Sequence, residues 1–242
     1  MNTQRLTEKP VICATSIQGS RSRQEDYYSY RQKDGRTIAV VCDGMGGMAG
    51  GNIASRYAAE QMAETLEKAE LTENMHSFWK RQLERLDDAV FGLHGADGLR
   101  LKAGTTIVAV LLQDDKLHWF SVGDSRLFYM RGQRLYCVTR EHNYALLSER
   151  DTCKQKQEQL ISYLGMGAAE LFDGSNTSFA TCRGDRLLLC TDGLSRSLRQ
   201  EEIAELLGSR ENLQTVCGDF KNVLEAKKRT KQDNAAWVII EV

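Results

Sequence analysis

Apolar residues along the chain fall into short runs and helical stripes separated by polar punctuation, and their spacing predicts most of the elements. Runs at 11–17, 37–42, 105–112, 117–122, 127–130, 135–139, 177–182, 186–191 and 235–242 read as strands. Residues 53–66 read as a helix, with Ala54, Ala58, Met62 and Leu66 on one face and Ile53 and Tyr57 beside it. Met75, Phe78, Trp79, Leu83, Leu86, Val90 and Leu93 repeat at helical period and predict a second helix, and Leu213, Val216, Phe220 and Val223 mark a last one. The middle strands are linked by only a few residues, too few for a parallel crossover, so antiparallel hairpins are expected. By the same spacing, 177–191 reads as a hairpin about Arg183-Gly184-Asp185. Residues 142–160 are polar, with helix as the only candidate element. Helices come in blocks rather than alternating with strands, which favours an α+β fold, a sandwich of antiparallel sheets with helices outside.

Composition narrows the class without adding chemistry. The 242 residues are 41% hydrophobic and 27% charged, as in ordinary globular domains large enough to build a core without disulfides or structural metals. Thirty-two Lys and Arg against thirty-three Asp and Glu leave a net charge of −1, which argues against a nucleic-acid partner. The longest apolar run, 107–112, is far too short for membrane insertion. Residues 1–10 are polar and carry no secretory pattern, so a cytoplasmic location is expected. The single proline, Pro10, and the lack of a linker or repeat suggest one domain over residues 1–242. Cys13, Cys42, Cys137, Cys153, Cys182, Cys190 and Cys217 are odd in number and form no CxxC pair. They read as buried free thiols in a reducing compartment.

Candidate chemistry lies at strand ends. Asp43 and Asp192 close apolar runs, Asp124 follows another, Asp233 precedes the last, and Glu25-Asp26 follow the first strand's turn. A lone turn aspartate is ordinarily structural. Several brought together would repel unless a cation lay between them, and hard divalent ions favour carboxylate, carbonyl and water oxygens. The glycine-rich stretch at 43–51 loosely matches a dinucleotide fingerprint at Gly44, Gly46 and Ala49. Asp43 would oppose a pyrophosphate, however, and Glu64 and Glu67 fall inside a helix rather than after a second strand. No Lys-Ser/Thr follows the glycines, which excludes a P-loop. The glycines fit better as a place where backbone carbonyls approach an ion. Arg21 and Arg23 flank the acidic pair, either as a self-neutralising turn or as a guanidinium placed to grip phosphate oxygens.

These residues together carry a resemblance. Gly19-Ser20-Arg21-Ser22-Arg23-Gln24-Glu25-Asp26 resembles the G-x-R-x-x-N-E-D opening of the metal-dependent, type-2C serine/threonine protein phosphatases. Val41-Cys42-Asp43-Gly44-Met45-Gly46-Gly47 resembles their D-G-M/H-G-G element. Gly104-Thr105-Thr106, Val122-Gly123-Asp124-Ser125-Arg126, Leu189-Cys190-Thr191-Asp192-Gly193-Leu194 and Asp233-Asn234 follow in the family's order. The resemblance spans nearly the whole chain from Val11 and implies a four-layer α-β-β-α sandwich with two central, mostly antiparallel sheets. It further implies Asp43 bridging two Mn²⁺ or Mg²⁺ ions, the Gly44 carbonyl on one of them, and Asp192 and Asp233 on the other. Glu25 and Asp26 would act through water, Arg21 would bind the substrate phosphate, and Asp124 with Asp192 would take a third, weaker ion. Phosphoserine and phosphothreonine proteins are the implied substrates, opposite a cognate serine/threonine kinase. The alternative is a pseudophosphatase that binds phosphoproteins without turnover.

This sequence departs from the family's pattern at three positions. Gln24 replaces asparagine, and Met45 stands where some members carry a histidine proposed as general acid. Arg196 stands where an aspartate often follows the D-G-L motif, and a cation there disfavours a third metal or partly replaces its charge. His142 reads as a loop-positioning residue. Residues 143–174 correspond to a movable flap beside the cleft, and the basic run 227–231 is read as complementing the C-terminal dipole of the last helix.

Overall fold

The computed structural model describes residues 9–46, 50–70, 74–146, 158–227 and 230–242. Its layering follows from strands that bury both faces. Along β3 (Arg36–Met45), Ile38, Val40 and Cys42 pack into one core while Ala39 and Val41 pack into another. Along β12 (Ala235–Glu241), Ala235, Trp237 and Ile239 face a third core, and Ala236, Val238 and Ile240 face the second. Successive strand side chains point to opposite faces, so an unbroken apolar run is the signature of a strand covered on both sides.

The strands form a five-stranded sheet, in the order β1-β12-β11-β7-β8, and a seven-stranded sheet whose main path is β10-β6-β5-β3-β2. The first contains β1 (Val11–Ile17), β7 (Arg126–Arg131), β8 (Arg134–Cys137), β11 (Arg186–Cys190) and β12. The second contains β2 (Asp26–Lys33), β3, β4 (Gly104–Thr105), β5 (Ile107–Gln113), β6 (Lys116–Val122), β9 (Asp173–Gly174) and β10 (Phe179–Ala180). Every pairing is antiparallel. Helices α1 (Gly50–Lys68) and α2 (Met75–Phe91) cover the larger sheet. Helices α3 (Asp192–Ser195), α4 (Gln200–Leu207) and α5 (Leu213–Ala226) cover the smaller one. The expected α-β-β-α sandwich is thus observed. Among the described residues, no helix is long and apolar enough to cross a membrane.

Small residues let α1 lie close to its sheet: Ala54, Ser55, Ala58, Ala59 and Ala63 are buried along it, with Met62 and Leu66. Ile53 is 41% exposed, so the inward stripe is narrower than its hydrophobicity suggests. Helix α2 buries Phe78, Trp79, Leu83, Leu86 and Val90, and its Asn74 cap accepts the Ser77 N–H. Helix α5 starts in the same way, with Asn212 accepting from Thr215.

Several local expectations need correction. β5–β6 and β7–β8 are hairpins, but β6 and β7 lie in different sheets, so the link at Gly123-Asp124-Ser125 crosses the sandwich. The 177–191 hairpin does not form. β10 pairs with β6, whereas β11 pairs with β7 and β12. The Asp185 carboxylate dictates this path: it accepts from the Cys182 N–H at 2.6 Å and is paired with Arg131 at 2.7 Å. β2 and α4 were not anticipated, because β2 reads Asp-Tyr-Tyr-Ser-Tyr-Arg-Gln-Lys and hides its alternation among polar residues.

The segment read as a movable flap is bonded down in its described part. The Thr105 and Leu164 backbones exchange hydrogen bonds at 2.9 Å, and the buried Asp87 carboxylate accepts N–H bonds from Gly165, Met166, Gly167 and Ala169. Residues 147–157, which carry most of the candidate helix and the middle of that flap, lie outside the described residues, as do Gly47, Met48 and Ala49. Cys13, Cys42, Cys190 and Cys217 are buried free thiols as expected, but Cys137 and Cys182 are exposed, and Cys153 lies outside the described residues. Lys227 is the C-cap of α5, its N–H on the Val223 carbonyl, while its Nζ is taken up by the Ser197 carbonyl and Glu202, tying α5 to the start of α4. Lys228 and Arg229 lie outside the described residues.

Candidate metal centre and phosphate site

One end of the sandwich collects the acidic residues because antiparallel pairing brings strand ends together. Asp26 opens β2 and is the register partner of Asp43 near the end of β3. On the other sheet, β11 ends at Cys190 opposite Trp237 of β12, so Asp192 and Asp233 flank neighbouring strand ends. Asp124 sits on the link between the sheets, just before β7, whose Arg126 is opposite Cys190.

Both Asp-Gly pairs mark a close backbone approach. A Cβ on Gly44 would lie 2.1 Å from the Gly51 carbonyl oxygen and 2.6 Å from that of Glu25. On Gly193 it would lie 1.8 Å from the Asn234 carbonyl oxygen. Only glycine fits at either position, and each admits the neighbouring segment directly beside its aspartate.

Asp26 and Asp43 face each other in the β2–β3 register, and Asp192 lies near enough to both to act on their ionisation. Burial, with Asp192 and Asp233 close by, pushes the Asp26 carboxyl up to about 8, against the lowering effect of a 2.8 Å hydrogen bond from the Thr191 hydroxyl. Asp43 is held well above the usual carboxylate range by burial and by Asp26, Asp192 and Asp124. Asp124 rises to about 6 through burial and Asp192, opposed by Arg196. Arg196 reaches Asp124 Oδ2 at 2.7 Å and Asp192 Oδ2 at 3.2 Å. At the rim, the exposed Arg21 guanidinium lies 2.6 Å from Asp233 Oδ2.

Polar groups fix this end of the molecule. The Asn234 side chain accepts the Glu25 N–H at 2.9 Å and donates to the Gln18 and Arg23 carbonyls. Gln24 accepts the Asp26 N–H and donates to the Ile17 carbonyl, so this departure from the family pattern holds the turn. Thr106 Oγ1 accepts the Asp43 N–H at 3.0 Å and lies 2.6 Å from Ser125 Oγ, joining the strand of Asp43 to the link that carries Asp124. His142 Nδ1 accepts the Gly123 N–H at 3.0 Å, which bears out its positioning role. Thr191, Asn234 and Thr106 were given no role from sequence. Thr191 and Asn234 share short motifs with Asp192 and Asp233, whereas the signal for Thr106 was its place in the Gly104-Thr105-Thr106 motif.

The donor set fits hard divalent cations. Among the described residues, no three His, Cys, Asp or Glu side chains are already positioned to hold a metal ion without help from other ligands. The buried Asp26 and the half-buried Asp43 and Asp192 lie close enough to raise one another's cost of ionisation, however, and such a cluster carries its charge best with a cation among its members. Hard-ion sites draw further ligands from carbonyls and water. The Gly44 carbonyl lies beside this cluster in sequence, and Met45 is half-buried with no proton to give.

An α-β-β-α sandwich with carboxylates converging at one end and an arginine at the rim is the architecture of a metal-dependent protein phosphatase. A family model for protein phosphatase 2C matches residues 14–232, and the chain belongs to that family. The serine/threonine phosphatase stp of Listeria monocytogenes is 27% identical over 223 residues, covering 88% of this chain and 87% of that protein. The protein phosphatase PhpP of Streptococcus pneumoniae is 25% identical over 208 residues, covering 82% and 84%. Among solved structures, the Streptococcus agalactiae serine/threonine phosphatase superposes with a TM-score of 0.82 at 22% identity, covering 97% of this chain and all of that one. The catalytic domain of the serine/threonine protein phosphatase PstP, in complex with two manganese ions, gives a TM-score of 0.77 at 22% identity, covering 96% and 97%. At these identities the structural likeness establishes the fold.

Proposed function

We propose that this chain hydrolyses phosphoserine and phosphothreonine on proteins, as a single catalytic domain over residues 1–242. It opposes a serine/threonine kinase in the cytoplasm. The observation that carries the reading is the gathering of Asp26, Asp43 and Asp192 at the shared end of both sheets, close enough to shift one another's ionisation. The names of the Listeria and Streptococcus relatives support the same substrate class.

Asp43, the Gly44 carbonyl, Asp192 and Asp233 would hold two Mn²⁺ or Mg²⁺ ions, the complement carried by the PstP catalytic domain. Bound ions of this kind supply Lewis acidity, lowering the pKa of water and neutralising charge on phosphoryl oxygens. The chain's own residues do the rest. Glu25 and Asp26 hold water at the edge of the cluster, with Asp26 oriented by Thr191. Arg21 stands at the mouth, exposed enough to exchange Asp233 for two phosphate oxygens in its planar fork. The water oxygen forms its bond to phosphorus as the seryl or threonyl oxygen departs. Met45 cannot protonate that oxygen, so its proton comes from solvent.

The test is phosphate release from a phosphothreonine peptide after EDTA stripping and Mn²⁺ titration. Release that requires the metal supports the reading. Mn²⁺ binding with no release contradicts turnover and favours a pseudophosphatase, and an absence of both contradicts the carboxylate assignment.

A further inference from the structure

Arg196 follows Asp192 by four residues across α3, and helical spacing puts the two on one face. Its Nη2 is 2.7 Å from Asp124 Oδ2 and its Nε is 3.2 Å from Asp192 Oδ2. One planar group therefore spans carboxylates delivered by two separate elements, the link between the sheets and the start of α3. Its Nη1 is also 3.7 Å from Glu158, whose side chain is 61% exposed, and such a pair adds little. The inner contacts differ from that one: the Asp124 side chain is only 6% exposed, and its Oδ2 faces the guanidinium directly.

Resting on the metal-dependent reading above, we propose that Arg196 is the resident cation of the Asp124–Asp192 pair. The chain then binds two divalent ions and no third. A guanidinium stays charged at any working pH, and its fork matches two carboxylates at once. A divalent ion entering between Asp124 and Asp192 would have to displace that fork and then sit beside a like charge in a half-buried site. Removing the charge while leaving both carboxylates turns the same place into an open pair of oxygen ligands, which is what a hard cation seeks. Arg196 is in this sense a positioning residue: it sets where ions do not go and holds Asp192 in line.

The experiment counts Mn²⁺ per chain on the 242-residue chain by native mass spectrometry and equilibrium dialysis, with thermal melts to confirm folding. The unaltered chain is expected to bind two ions and Arg196→Ala three. Arg196→Lys, which keeps a positive charge, and the double variant Arg196→Ala/Asp124→Asn are both expected to bind two. If Arg196→Ala does not melt cooperatively, Arg196→Gln takes its place, since it keeps most of the stem and loses the charge. Three ions on the unaltered chain, or two on the folded charge-removed variant, would overturn the proposal while leaving the metal-dependent reading intact. No Mn²⁺ on the unaltered chain would overturn both.

Discussion

Two halves of the same cleft solve one electrostatic problem in different ways. Asp26 and Asp43 are paired on the seven-stranded sheet with a threonine hydroxyl donating to Asp26, and burial together with the surrounding aspartates lifts both carboxyls far from their ordinary range. Asp124 is as buried, yet it rises only to about 6, because Arg196 lies against it. A buried carboxylate cluster must find positive charge or take up protons. In the proposed site the first half would draw that charge from bound divalent ions, whereas the second meets it from within the chain through Arg196. Where an acidic cluster lies therefore says less about metal binding than which cations the chain itself sends into it.

The comparison breaks most sharply at Asp43. Asp43→Asn keeps the shape and removes the shared charge. Metal-dependent phosphopeptide turnover is expected to fall about a thousandfold or more, the equivalent of losing several kcal/mol of metal-supplied stabilisation. Steady-state kinetics against a thermal melt would separate this loss from unfolding. Thr191→Val removes the one hydroxyl that donates to Asp26 and should lower turnover by roughly 10–100-fold, the usual range for a partner that orients a ligand. The fall should appear together with weaker Mn²⁺ affinity.

Acid–base linkage sharpens the same contrast. Asp26 titrates near 8 in the folded, metal-free chain, against roughly 3.9 when unfolded. The folded state therefore binds more protons across that window, and stability of EDTA-treated protein is expected to fall as pH rises from about 4 to about 8. Mn²⁺ competes with those protons, so the gain in Tm on adding it should widen with pH. Scanning calorimetry at several pH values checks both trends, and a gap that stays constant would contradict them.

The smallest effect belongs to the supports of Asp124. Asp173 is paired with Arg140 at 2.6 Å and faces His142, which in turn holds Gly123. Although burial opposes it, the neighbouring His142 imidazole, 3.7 Å away, and hydrogen bonds from Arg140 hold the Asp173 carboxyl below its usual range. Its contribution is then complete above the unfolded pKa of roughly 3.9 and is lost as pH falls toward the folded value. Asp173→Asn should cost about 1–3 kcal/mol at neutral pH, seen as a lower Tm, with the difference shrinking in acid.

The layers were legible from sequence for a physical reason. β5 and β12 bury both faces and so read as solid apolar runs, and α2 repeats its apolar residues at helical period. The path between the sheets was not legible. A link of three residues is short enough for a hairpin, and nothing local tells Gly123-Asp124-Ser125, which crosses between sheets, from the turn that joins β7 to β8. β2 was hidden because Tyr27 and Tyr28 pack against the cores on its two faces while its remaining residues are mostly polar or charged, leaving no clean alternation. Within the site, the aspartates stood out because each interrupts or abuts an apolar strand. Thr191, Thr106 and Asn234 did not, since hydroxyls and amides act through partners more than sixty residues away. Arg196 stood out as a departure, but that its guanidinium spans two carboxylates is visible only in three dimensions.

The most direct measurement of the central claim is the number of Mn²⁺ ions bound by the unaltered chain, set beside that of Asp43→Asn. The account predicts two tightly held ions on the unaltered chain and a loss of at least one in the variant. Undiminished Mn²⁺ binding by folded Asp43→Asn, or none by the unaltered protein, would contradict it.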